Sequence, residues 1–445
     1  MLSSGAVVMR PSKPPPSALR AVPRSAAAAP NHPLPAGMRD LLPPEAAGRR
    51  RLSRRLLDHF GLYGYELVTP PAFELAEVLE RGLGTLDPRD VLRFVEPESG
   101  EVAALRPDVT PQIARMAATR LADRPMPMRL CYEGTVLRRR QERARKHRQI
   151  PQTGVELIGV GGPQGDIELM GLAAGAVRAA GLADFVLDLG HADIARALMS
   201  ELSGPMAASI LDALAHKDTA VLSDLVREAK PPSAIAQALV ELPKLHGDGG
   251  VWKEADRLLA PTPARGALTA LRELWNRATA DGLGIVLRLD LGEVRGFAYY
   301  TGAIFHLFAE GPGEPVGSGG RYDDLLGRFG APMPAAGFAL DLDNLSWALK
   351  VEGSEEPRDP RILVAAGTTS SLVCANLRVC GVGCAVAPES DAEAYARAWG
   401  FSHVLRTNPM KELELVELST GACRKLAGAP EPELAKQLAE SLVSR

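Results

Sequence analysis

Apolar positions along the chain change period several times, and the changes divide it into elements. Leu52, Leu56, Leu57 and Phe60 recur at helical spacing. The stretch GYELVTPPAFE then reads as a strand stopped by Pro70 and Pro71, because consecutive prolines supply no ladder donors. A helical stretch through Arg115 and Met116 follows Leu105 to Gln112. Two short apolar stretches, RLCYEGTV and one ending at Glu156, predict a strand and a returning strand around an arginine-rich loop, Arg138 to Arg148. On the returning strand Gln152, Gly154 and Glu156 alternate, so all three face one side.

Beyond the hairpin the pattern predicts a helix over 166–180 and an apolar strand at 185–190. From about 194 to 280, Leu, Ala and Val repeat at three and four residues, broken by Pro231-Pro232, Pro261 and Pro263, which predicts an inserted module of several helices. Ile285 to Leu291 and Phe297 to Phe308 predict a strand pair. A charged, proline-containing linker at 353–360 precedes alternating strands and helices, the pattern of a small α/β domain over 361–445. The whole reads as α+β: an antiparallel sheet flanked by helices over 33–352, then the small C-terminal domain.

Composition narrows the function. The 445 residues are 46% hydrophobic and 24% charged, enough for two or three domains. Residues 1–32 are rich in Ala, Pro, Ser and Arg and hold no acidic residue, a composition that predicts a disordered leader. A formal net charge of -3 gives no global reason to bind nucleic acid or an anionic membrane, so any anion site must be local. No apolar run is long enough to cross a bilayer. Five cysteines, without zinc-ligand spacing, predict reduced thiols in a cytoplasmic protein with no metal and no cofactor.

The candidate chemistry lies in four places. Asp108 and Thr110 either cap the helix that follows or offer a carboxylate and a hydroxyl to an ammonium group. Gln152 and Glu156 form one polar wall, into which Arg138 would point a planar cation. Arg295, Tyr299, Tyr300 and Thr301 sit at the start of one strand, and Tyr322 follows Gly317-Ser318-Gly319-Gly320-Arg321. Aromatic residues on strands are usually core. The glycine run lacks the lysine and helix start of a phosphate cradle.

Together these blocks resemble class II aminoacyl-tRNA synthetases, the histidyl type in particular. The proline-stopped strand and its helix look like motif 1, which implies self-dimerisation through that region. The hairpin resembles motif 2. The resemblance implies that Asp108 and Thr110 meet a substrate amino group, with Asp108 one methylene shorter than the usual Glu. It places Arg138 on a carboxylate and ATP, and Gln152 and Glu156 on the amino acid. By the same resemblance Tyr300 and Tyr322 flank an imidazole beside Tyr299, and Arg295 sits near the reacting carboxylate. Ala298 stands where the family usually has Asp. The C-terminal domain resembles a shortened anticodon-binding domain.

The ATP half departs from that pattern. Motif 3 should supply a glycine, a Glu and an arginine where this chain has Asp341, Asp343 and Asn344. Asparagine cannot replace a guanidinium fork on a triphosphate, and a carboxylate adds like charge. Arg140 replaces an adenine-reading Glu, and Ile150-Pro151 replaces Phe-His. A histidine pocket kept without ATP chemistry, with LRPDVTPQIAR, YYTGAIF and GGRYDDLLGRFG, is similar to the regulatory subunits of ATP phosphoribosyltransferase. That resemblance implies a noncatalytic partner of the short-form catalytic subunit in a hetero-oligomer, with L-histidine as effector and tRNA not a partner. An active histidyl-tRNA synthetase and a free-standing histidine sensor are the alternatives.

Overall fold

The computed structural model describes residues 34–83, 91–138, 147–294, 299–354, 359–366, 370–387, 391–407, 412–426 and 431–443. The leader at 1–32, Arg140, Arg295, Ala298 and most of the arginine-rich loop lie outside them. Helix α1 (Glu45–Leu62) buries Leu52, Leu56 and Phe60 along its predicted stripe and leads to strand β1 (Glu66–Leu67). Strands β2 (Phe73–Leu75), β3 (Arg93–Val95) and β4 (Val102–Leu105) make a separate small sheet, with α2 (Ala76–Leu83) after the first. Helix α3 (Thr110–Thr119) precedes the long antiparallel hairpin β5 (Met128–Leu137) and β6 (Gln149–Ile158). Helix α4 (Gln164–Ala179) and strand β7 (Val186–His191) follow.

Six helices occupy most of 192–280: α5 (Ala192–Leu198), α6 (Gly204–Ala215), α7 (Thr219–Ala229), α8 (Ser233–Glu241), α9 (Trp252–Leu259) and α10 (Arg265–Ala280), with a short strand β8 (His246–Gly247) among them. Strands β9 (Val286–Asp290), β10 (Ala303–Phe308), β11 (Gly317–Arg321) and β12 (Ala335–Asp341), then helix α11 (Leu342–Glu352), close this part. The large sheet runs β1-β5-β6-β12-β11-β10-β7-β9-β8. It is antiparallel through its centre, with parallel pairing of β1 to β5 and of β7 to β9. The expected pairing of 285–291 with 297–308 is therefore corrected. The helices after β7 carry the chain back so that β9 lies parallel beside β7, which separates it from β10. That strand also starts late: Tyr299 and Tyr300 precede it in a turn.

Alternation on β6 divides the core. Val155 and Leu157 join α1, α4 and the six helices in one apolar cluster, which includes Ile194, Leu239 and Leu271. Ile150 and Ile158 face the other way, into a cluster with α3 and the tyrosines. The six helices thus share the core of the sheet.

The remaining chain forms a five-stranded sheet ordered β14 (Gly383–Val386), β13 (Arg361–Val364), β15 (His403–Thr407), β16 (Leu413–Glu417) and β17 (Cys423–Leu426). Helices α12 (Ser370–Val379), α13 (Ala392–Ala398) and α14 (Glu431–Val443) accompany it. The expectation of reduced thiols is corrected for one pair. Packing of α12 on β14 brings the Cα atoms of Cys374 and Cys384 to 5.5 Å, and the two are disulfide-bonded. Cys131, Cys380 and Cys423 are free. Among the described residues no helix is long and apolar enough to cross a membrane, and no group of His, Cys, Asp and Glu is placed to hold a metal ion.

Candidate functional site

The even-numbered face of β6, the first residue of α3 with Asp108 two residues before it, and the turns before β10 and after β11 converge on one buried polar cluster. Glu156 is 1% exposed and accepts from the Thr110 hydroxyl at 2.7 Å and from the Tyr322 hydroxyl. Asp108 is likewise buried and accepts from the Tyr299 hydroxyl at 2.6 Å. Thr110 opens α3 without its side chain capping the helix, so the bond to Glu156 replaces the capping role. Asp108 lies 3.5 Å from the Thr110 backbone N–H. Tyr299 and Tyr322 pack edge to face with centroids 5.5 Å apart, and Tyr300 lies 5.0 Å from the first and 6.5 Å from the second.

Two glycines create the space. A Cβ at Gly337, opposite Glu156 in the β6–β12 register, would collide with its carboxylate. A Cβ at Gly154 would come within 2.6 Å of the Tyr132 hydroxyl. The gap that the sequence leaves between Gln152 and Glu156 is therefore covered by the Tyr132 ring, which faces Gly154 across the hairpin. Nothing in the sequence pattern marks Tyr132 without that register. Gln152 shares the even-numbered face of β6 with Glu156 and is buried, and its Oε1 has no hydrogen-bond partner among the described residues.

Burial dominates the electrostatics. It pushes the Glu156 carboxyl well above the usual carboxylate range; the Thr110 hydroxyl opposes this and the Asp108 charge adds to it. The same desolvation raises Asp108, against the bond from Tyr299 and the Arg138 guanidinium. Arg138 follows β5, close enough to stabilise the Asp108 carboxylate, and donates to the Pro107 carbonyl at 3.3 Å. The structure thus gathers Asp108, Thr110, Arg138, Gln152, Glu156, Tyr299, Tyr300 and Tyr322. Arg295 lies outside the described residues.

Behind Tyr322, Arg321 forms a buried anchor that the sequence reading did not single out. Its Nε–H donates to Asp166 at 2.8 Å, and Nη1 donates to the Val160 carbonyl at 3.1 Å and to Asp323 at 2.9 Å. Asp323 in turn accepts from the Ala335 N–H at 3.0 Å, and its own N–H donates to the Thr301 hydroxyl at 2.8 Å. The turn that presents Tyr322 is tied at both ends.

At the motif 3 positions the side chains are engaged internally. Asp341 caps α11, accepting from the N–H groups of Asp343 and Asn344 at 3.0 and 3.1 Å. Asp343 pairs with Arg39 at 2.5 Å, and the Asn344 amide donates to the Pro315 carbonyl at 2.9 Å. Asp341→Ala is expected to lower stability by about 1 kcal/mol, the usual worth of an N-cap, read as a shifted urea midpoint with unchanged slope. An unmoved midpoint would deny the cap a stabilising role.

A body of this topology, with a buried cluster of acidic and tyrosine side chains under a motif 2-like hairpin, is a class II, histidyl-tRNA synthetase-like fold. The family model described as histidyl-tRNA synthetase matches residues 37–345. The chain is 42% identical over 330 residues to the ATP phosphoribosyltransferase regulatory subunit of Anaeromyxobacter sp. (strain Fw109-5), covering 74% of this chain and 96% of that protein. It is 36% identical over 402 residues to that of Syntrophotalea carbinolica, covering 87% and 94%. A solved ATP phosphoribosyltransferase regulatory subunit/histidyl-tRNA synthetase from Bacillus halodurans superposes with TM-score 0.72 at 26% identity, covering 84% of this chain and 98% of that one. The chain belongs to the family of ATP phosphoribosyltransferase regulatory subunits.

Proposed function

We propose that this chain is the noncatalytic subunit that joins a short-form catalytic ATP phosphoribosyltransferase in a hetero-oligomer, activates it, and transmits feedback inhibition by L-histidine bound in the tyrosine-lined pocket. The observation that carries this reading is the pairing of two buried carboxylates, Glu156 and Asp108, with hydroxyl donors. Histidine offers an ammonium group and a ring N–H that can replace those hydroxyls, and Gln152 adds an acceptor. Arg138, with Arg295 as the resemblance assigns it, would meet the carboxylate. The engagement of Asp341, Asp343 and Asn344 within the fold supports a pocket used for sensing, since none of them is left to grip a triphosphate. About 1–3 kcal/mol of coupling between histidine and one assembly state would make a useful switch.

A self-dimer through the motif 1-like region belongs to the same reading. Leu62 and Leu67, at the end of α1 and on the edge strand β1, are 83% and 59% exposed. Sedimentation of the chain alone tests it, and a strictly monomeric protein would rule it out. The function is tested by calorimetry with histidine beside histidine-dependent ATP–pyrophosphate exchange on the same preparation. Binding without exchange is the expected outcome, followed by histidine-sensitive activation when the catalytic subunit is added. Robust exchange would establish the synthetase alternative instead.

A further inference from the structure

Four of the five cysteines fall in the C-terminal domain, beyond residue 345, where the match to the family model ends. Two of them, Cys374 on α12 and Cys384 on β14, are joined, with Cα atoms 5.5 Å apart. Cys131, Cys380 and Cys423 stay free, so the chain is not built as a disulfide framework. Nor does the domain need a staple in order to fold. Ile362, Val364, Leu377, Leu405 and Leu438 give it an apolar core of its own. In a reducing compartment the disulfides that do form are usually transient and catalytic or redox-sensing.

The bond sits where its loss is felt by one strand. β14 lies at the edge of its sheet and pairs with β13 alone, over four residues. None of its side chains is fully buried: Gly383 and Val386 are exposed, and Cys384 and Ala385 are half-buried. Helix α12, by contrast, is seated in the core by Val373 and Leu377 whether or not Cys374 is bonded. The disulfide therefore ties a weakly anchored strand to a firmly seated helix. Access favours Cys384, since Cys374 is fully enclosed. The exposed Arg378 guanidinium donates to the Cys384 carbonyl at 2.9 and 3.2 Å, so an attacking thiolate meets a positive charge there.

We propose that the Cys374–Cys384 bond is a reversible redox staple, which a dithiol reductant opens in the folded chain to release β14 from α12. A reductant thiolate attacks Cys384 Sγ, the S–S bond breaks, and its electron pair leaves on Cys374 Sγ, which takes up a proton. The reductant's second thiolate then attacks the mixed disulfide. Cys384 leaves as a thiol, and the reductant departs as an internal disulfide. Two electrons and two protons have passed to the chain. The staple involves no residue of the tyrosine pocket.

The test uses the full chain, either oxidised in air or reduced with dithiothreitol. Alkylation after denaturation should find three thiols in the oxidised protein and five in the reduced one. Hydrogen exchange read by mass spectrometry should show the amides of 384–386 exchanging about tenfold faster or more after reduction, with those of β15 and β6 unchanged. Removing the dithiothreitol in air should restore the slow rate. Cys384→Ser should exchange fast under both conditions. Should it fail to fold by thermal melt, Cys374→Ala gives the same comparison. Cys380→Ser, which removes the exposed thiol between the two, should respond like the native chain; loss of the response there would move the exchange to Cys380 and overturn the assignment. Five thiols in the air-oxidised protein overturn the proposal, as does a bond that withstands dithiothreitol until the chain unfolds. Exchange at β14 that reduction leaves unchanged overturns it too.

Discussion

Glu156→Ala is expected to weaken histidine binding by roughly 10- to 150-fold, the equivalent of about 1.5–3 kcal/mol for a hydrogen bond to a charged group. The carboxylate is fully enclosed and now accepts from Thr110 and Tyr322. A ligand N–H that took their place would find no acceptor in the variant. Alanine also strands two buried hydroxyls, at about 1–3 kcal/mol each. Glu156→Gln is the companion, because it keeps the shape and one acceptor oxygen. Native affinity in both folded variants would remove this pocket from the mechanism.

The same carboxylate sets a pH dependence. Burial lifts the Glu156 and Asp108 carboxyls above their ordinary values of 4.5 and 3.8, so the folded chain holds these protons more tightly than the unfolded one. Their contribution to stability is complete below those values and is lost as pH rises toward the folded-state values. Each group removes at most about 1.4 kcal/mol per pH unit across that window. Glu156→Gln abolishes one of the two slopes, so its stability should decline less steeply above pH 4.5 than that of the native chain. Parallel curves would mean that Glu156 titrates normally.

Arg321→Ala is expected to cost about 3–5 kcal/mol of folding stability, the penalty for leaving a buried charge without its partner. Arg321 is 5% exposed, and the carboxyl it contacts on Asp166 is raised by burial and drawn back by the guanidinium. Arg321→Lys keeps the charge but loses the fork that reaches Asp166, Asp323 and the Val160 carbonyl together, so it should fall between the two. Denaturant unfolding gives the difference directly. A loss below about 1 kcal/mol for the alanine variant would mark the cluster as a surface-like ion pair.

How far the sequence carries depends on which contacts are local. Period-two alternation on β6 places Gln152 and Glu156 on one face without any knowledge of the rest of the sheet. Asp108 and Thr110 suggest a polar pair on their own, but only resemblance joins them to Glu156 and Tyr322, because these segments lie far apart in the chain. Tyr132 is invisible until the hairpin register sets it over Gly154. Arg321 reads as part of a glycine-rich strand, since its partner Asp166 lies 155 residues away. The placement of β9 beside β7 is a crossover property that no window of sequence contains. Strands β16 and β17, of five and four residues, carry too short a pattern to stand out. The bond between Cys374 and Cys384 depends on how α12 folds back on β14, and their spacing alone does not announce it.

The internal engagement of Asp341, Asp343 and Asn344 makes the path back to a synthetase steep. Restoring glycine at Asp341 would strip the cap from α11, and an arginine at Asn344 would abandon the Pro315 carbonyl. A Glu at Asp343 would disturb the pair with Arg39. Each reversal would loosen the helix at once, whereas nucleotide chemistry would return only after all three were in place. The residues that depart from the synthetase pattern thus serve as structural supports, and single reversals would cost stability without any return of nucleotide chemistry.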